Sequence, residues 1–108
     1  MNTDIQVIIV LCTAPVTEAD RIAGILVRER RVACVNTAPV TSRFIWQGEE
    51  CRDDENLLIM KTTRTHLKDL INRILEIHPY DVPEVIALPV IGGSGAYLDW
   101  VEASTQAP

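Results

Sequence analysis

The chain has 108 residues, of which 47% are hydrophobic and 23% charged, and its formal net charge is −5. That length gives one domain, residues 1–108, able to build a core without disulfide staples, and the composition excludes intrinsic disorder. Its few basic residues are scattered, which excludes general affinity for nucleic acid or an anionic membrane surface, since both require clustered positive charge.

In chain order, Met1-Asn2-Thr3-Asp4 precedes the first apolar run and lacks the positive start of a secretory signal. No apolar run approaches the ~20 residues of a membrane span. Ile5 to Leu11 is apolar apart from Gln6 and rich in β-branched side chains, which predicts a strand buried on both faces. Thr17, three residues before Asp20, marks a helix start, and Ala19, Ile22, Ala23 and Leu26 form a stripe that runs out near Arg31. Val32 to Gln47 reads as strand, with Pro39 demanding an edge position or a bulge because it removes a backbone donor. Gly48 to Glu50 and Arg52 to Asp54 read as turn, and Leu57 to Met60 as a second fully buried run, so this pair predicts a long hairpin with a charged tip. Thr63 or Thr65 can cap a second helix carrying Leu67, Leu70, Ile71, Ile74 and Leu75, which His78-Pro79 stops. Val85 to Ile91 is the last strand, Gly92 to Gly95 a loop, and Ala96 to Glu102 a short terminal helix.

The order β-α-β-β-α-β-α predicts an α+β fold, the ferredoxin-like split-βαβ sandwich. Both main helices then pack on one face of a four-stranded antiparallel sheet. The strands are apolar at both parities, so the second face wants covering. Either another subunit covers it, which the overhanging hairpin favours, or the terminal helix folds across it. Cys12, Cys34 and Cys51 are odd in number and show no CxxC spacing, which points to free thiols in a reducing, cytoplasmic compartment.

Leu11-Cys12-Thr13-Ala14-Pro15, Ala33-Cys34-Val35-Asn36, Trp46-Gln47-Gly48, Lys61-Thr62-Thr63, His78-Pro79-Tyr80-Asp81-Val82-Pro83-Glu84 and Tyr97-Leu98-Asp99-Trp100 occur in this order. The ordered set, spanning about residues 5 to 103, resembles the CutA family of divalent-cation tolerance proteins. The resemblance implies a cytoplasmic ferredoxin-like homotrimer associated with tolerance of copper and other divalent cations, with no established catalysis. It also implies copper ligands: the cysteine of the first motif and two consecutive histidines before Pro-Tyr. Cys12 and His78 match two of these positions, and Ile77 stands at the third.

Topology brings the first strand and the second helix to the same end of the sheet, so Cys12 and His78 should emerge together, with Glu84 near enough to add an oxygen. Cys34, a further candidate ligand, begins the second strand at the opposite end. A thiolate with an imidazole suits Cu(I), Cu(II) or Zn(II), but two protein ligands make an incomplete site. The plainer alternatives are that Cys12 is a small buried hydrophobe and that His78 closes its helix. Two other classes stay open. One is a signalling module resembling the trimeric PII proteins, holding a metabolite or nucleotide in subunit clefts, with the Gly92–Gly95 loop as an anion site. The other is an enzyme built on a Cys12–His78 pair, for which no orienting third residue is identifiable.

Overall fold

The computed structural model describes residues 5–106, so Met1 to Asp4, on which the reading of the N-terminus rests, lie outside it. The elements follow as β1 (Val7–Pro15), α1 (Val16–Arg28), β2 (Cys34–Trp46), β3 (Glu49–Thr63), a 3-10 turn (Arg64–His66), α2 (Leu67–Ile77), β4 (Val85–Pro89) and α3 (Gly95–Ser104). The four strands form one sheet in the order β2-β3-β1-β4, antiparallel throughout. This is the split-βαβ arrangement that the alternation of elements predicts, and it puts Pro39 on the edge strand, where its missing donor costs no ladder bond.

The register sorts the apolar residues into two sets. Ile8, Val10, Cys12 and Ala14 stand opposite Thr62, Met60, Leu58 and Asn56, and this face carries α1 and α2. Ile22 and Leu26 of α1 and Leu70 and Ile74 of α2 seal it, and all four are fully buried. At about 25 cal/mol per Å² of apolar surface removed from water, this shared core is the main source of stability. The intervening residues face the other way: Leu11 pairs with Ile59 and Ile86, and Ile9 with Lys61 and Leu88.

On that second face α3 packs against β3 and β1, burying Val101 completely. Tyr97 of α3 lies beside Cys34, while on the edge strand β4 Ile86 and Leu88 remain 52% and 44% exposed. The terminal helix therefore covers part of the second face and leaves the rest bare.

Several boundaries differ from the sequence-based expectation. The β1 strand runs four residues past Leu11 to Pro15, so Cys12 lies within it, paired with Leu58 and Val85. Because Pro15 is still in register with Glu55 when α1 begins at Val16, no loop separates strand from helix and Thr17 does not cap. The 3-10 turn precedes α2, whose N-cap position is His66 rather than either threonine. The largest departure is the hairpin. Gln47 and Gly48 both have positive φ, 51° and 81°, which is the two-residue turn whose twist matches paired strands. Pairing consequently continues through the charged run, with Arg52, Asp53 and Asp54 opposite Arg43, Ser42 and Thr41. Six residues of each arm extend beyond the last β1 pair, Pro15 with Glu55, an overhang of roughly 20 Å at the usual rise per strand residue.

Candidate functional site

β1 ends, α2 ends and the hairpin overhangs at the same end of the sheet. Three features meet there: the buried Cys12, the helix-closing His78, and a cleft walled by the hairpin and by the α2–β4 loop.

Cys12 belongs to the helix-facing core and has no exposed surface. Its Sγ lies 3.5 Å from the Thr13 carbonyl. Burial pushes the thiol pKa up to about 12, and the carboxylates of Glu84 and Glu55 add to the shift. Burial thus favours the protonated thiol, which suits a packing group and not a nucleophile, since that role needs the thiolate.

His78 is buried at the C-cap of α2, where its amide donates to the Ile74 carbonyl at 2.9 Å. The Tyr80 amide donates to Nδ1 at 3.1 Å, which makes Nδ1 the unprotonated nitrogen. The protonated Nε2 then donates to the Thr13 carbonyl at 2.8 Å. The ring also packs against Tyr80, with centroids 4.7 Å apart. Both nitrogens are engaged in holding the α2–β4 loop onto the end of β1.

Sequence proximity and topology do bring Cys12, His78 and Glu84 to one end, while Cys34 starts β2 at the other, opposite Lys61 and beside Tyr97. Ile77 packs against the core, and its carbonyl accepts from Arg21 Nη2 at 2.7 Å. Among the described residues no three His, Cys, Asp or Glu side chains converge as a metal site. As arranged, Cys12 is enclosed in the helix-facing core and both ring nitrogens of His78 are hydrogen-bonded, so neither side chain lines the cleft.

The cleft above them has a volume of about 640 Å³. Thr13 lies at its base, Phe44, Trp46, Cys51, Asp53 and Glu55 come from the hairpin, and Tyr80 to Val82 and Glu84 come from the loop. Along β2 and β3 the hairpin residues have the parity of Leu57 and Ile59, so the cleft opens on the same side of the sheet as the bare apolar surface. Glu55 is only 5% exposed. The Tyr80 hydroxyl donates to its Oε2 at 2.6 Å, and burial together with that carboxylate raises the Tyr80 pKa well above the usual phenol range. The hydroxyl accordingly stays a donor.

This Tyr80–Glu55 bond escapes a sequence reading that assigns Tyr80 to a turn and Glu55 to a solvated tip. One signal was available: Glu55 stands two residues before Leu57, at an apolar parity, where a charge must find a partner. The Gly92–Gly95 loop, in contrast, follows β4 at the Ile8 end of the sheet, away from the cleft.

Comparison with known proteins agrees with the motif order. The family described as CutA1 divalent ion tolerance protein matches residues 8–104. A "Divalent-cation tolerance protein CutA" from Thermus thermophilus is 48% identical over 99 residues, covering 90% of this chain and 96% of that protein. The "Protein CutA, chloroplastic" of Arabidopsis thaliana is 45% identical over 92% of this chain, which spans 56% of that longer protein. Among solved structures, one described as a PII-like protein CutA from Nostoc sp. PCC 7120 in apo form superposes with a TM-score of 0.89 at 39% identity, covering 92% of this chain and 97% of that one. With fold, motif order and near-complete coverage in agreement, the chain belongs to the CutA1 divalent ion tolerance family.

Proposed function

We propose that the protein acts in divalent-cation tolerance as a non-enzymatic homotrimer of the cytoplasm, binding cations weakly at the mouth of the cleft. The observation that carries this reading is the charge there: Asp53, Glu55, Asp81 and Glu84 line the cleft, while the guanidinium of Arg43 lies near Glu50 on the other face of the hairpin. Carboxylates at such a mouth attract hydrated divalent ions without gathering a dedicated cage. Copper on Cys12 and His78 requires the imidazole to leave the Thr13 carbonyl or the Tyr80 amide and the buried thiol to ionise, so the cleft carboxylates, Glu84 among them, are the better ligands, and Cys34 takes no part. Association is supported by the half-exposed Ile86 and Leu88, which another copy would remove from water, and the number three is what the family resemblance implies.

Calorimetry with Cu(II) and Zn(II), paired with native mass spectrometry, tests both halves. Glu84→Gln combined with Asp53→Asn should weaken binding by about tenfold or more, while Cys12→Ser and His78→Gln leave it unchanged. Binding should fade as pH drops through the carboxylate range near ~4 and not through ~6.5, where free imidazole protonates. Loss of binding in the Cys12 or His78 variants, with a midpoint near ~6.5, would return the site to the thiol and the imidazole.

A second reading, a PII-like module holding a small molecule between subunits, is favoured by one observation. The cleft has the volume of a small-molecule site, is walled by Phe44, Trp46 and Tyr80, and adjoins the bare face that a neighbouring copy would cover.

A further inference from the structure

Within that second reading, on which this inference rests, the chemistry of the cleft selects the ligand class. We propose that it takes a small organic cation, an amine or guanidinium compound, and excludes nucleotides. Glu55 is almost wholly buried, yet only its Oε2 is satisfied, by the Tyr80 hydroxyl. Its Oε1 receives no hydrogen bond from the described residues and, not being sealed from solvent, opens onto the cleft. A carboxylate almost wholly withdrawn from water, with one oxygen open to the cleft, is a ready acceptor, and a ligand N–H meets it with a charge-assisted bond.

The walls above it are aromatic: Trp46 and Phe44 stand on the same hairpin face as Glu55. An aromatic face attracts a cation through its quadrupole, tryptophan most strongly. Asp53 and Asp81 add negative charge at the rim. A triphosphate would bring its own negative charges into this acidic lining, from which the guanidinium of Arg43 is turned toward Glu50. A bare divalent ion would satisfy the carboxylates but gain nothing from the aromatic walls. An organic cation uses both.

The test follows Trp46 fluorescence in the full-length assembled protein carrying Trp100→Phe, titrated with agmatine, which bears a guanidinium and an ammonium group. Agmatine should give a saturable change beyond that of sodium chloride at matched ionic strength, and ATP should give none. Glu55→Gln should weaken agmatine binding by about tenfold or more. Asp81→Asn, on an exposed loop where folding is not at stake, should weaken it roughly two- to fivefold. Calorimetry should show agmatine binding lost in Trp46→Ala while Zn(II) binding survives, which separates the organic cation from the metal reading. Saturation by ATP in place of agmatine would overturn the proposal and leave the cleft a small-molecule site. Absence of saturation by either, because a neighbouring copy fills the cleft or nothing does, would overturn the proposal and the PII-like reading together.

Discussion

The two faces of the sheet carry nearly the same side chains and meet different fates. On one, Val10, Leu58 and Met60 lie beneath α1 and α2 with no exposed surface. On the other, at neighbouring register positions, Ile86 and Leu88 stay near half exposed although α3 packs against part of that side. The lesson is that hydrophobicity alone does not say what buries a strand. Two helices of 13 and 11 residues with strong apolar stripes close the first face, whereas a single ten-residue helix that buries only Val101 covers part of the second. The cleft lies on this second side, beside the bare apolar surface.

The sharpest way to break the comparison is to cut the same amount from each face. Leu58→Ala, in the sealed core, should cost about 2–5 kcal/mol in urea or guanidinium unfolding, because it loses transfer energy and leaves a cavity. A loss below ~1 kcal/mol would mean that the first face is not the stability core. On the second face, Ile86→Asp with Leu88→Asp should leave the far-UV spectrum unchanged and lower the association constant by about two orders of magnitude or more, since charges at a covered interface go unpaired. Sedimentation equilibrium showing an intact assembly would place the interface elsewhere.

The smallest effect belongs to the rim of the first face, where Glu29 joins α1 to α2. Arg73 donates to both its carboxylate oxygens at 2.9 and 2.8 Å, and Arg31 to one at 2.8 Å. Those bonds, Arg73 first, lower the Glu29 pKa from 4.5 to about 2. A carboxyl depressed by folding contributes stability that is complete above its unfolded pKa and lost as pH falls through its folded one. The melting temperature of the wild type should therefore fall across pH 4.5 to 2 more steeply than that of Glu29→Gln, with the difference shrinking in high salt because the pairs are exposed. Parallel pH profiles for the two proteins would show that the network contributes nothing measurable.

How much was legible in advance differs between fold and site. The β-α-β-β-α-β order, the edge proline, the two helical stripes and the bare second face all follow from periodicity, which is a local property. The hairpin was half legible. Its length followed from the apolar runs, but the charges from Arg52 to Asp54 imitate a turn, and only the backbone angles of Gln47 and Gly48 show that pairing runs through them. At the site, helix and strand direction sufficed to gather Cys12, His78 and Glu84 at one end and to send Cys34 to the other.

What residue types could not convey is which atoms are already occupied. Cys12 and His78 read as a soft-metal pair because thiolates and imidazoles are ligands in general. The fold buries that thiol and commits both imidazole nitrogens to the Thr13 carbonyl and the Tyr80 amide. Conversely, Glu55 reads as one more surface acid until the overhanging hairpin turns it onto Tyr80. Apolar spacing along the chain thus determined the architecture, since burial of a periodic face is decided within each segment. Tertiary structure alone decided the chemistry, because the availability of a lone pair or a proton depends on neighbours that are up to 65 residues away in sequence.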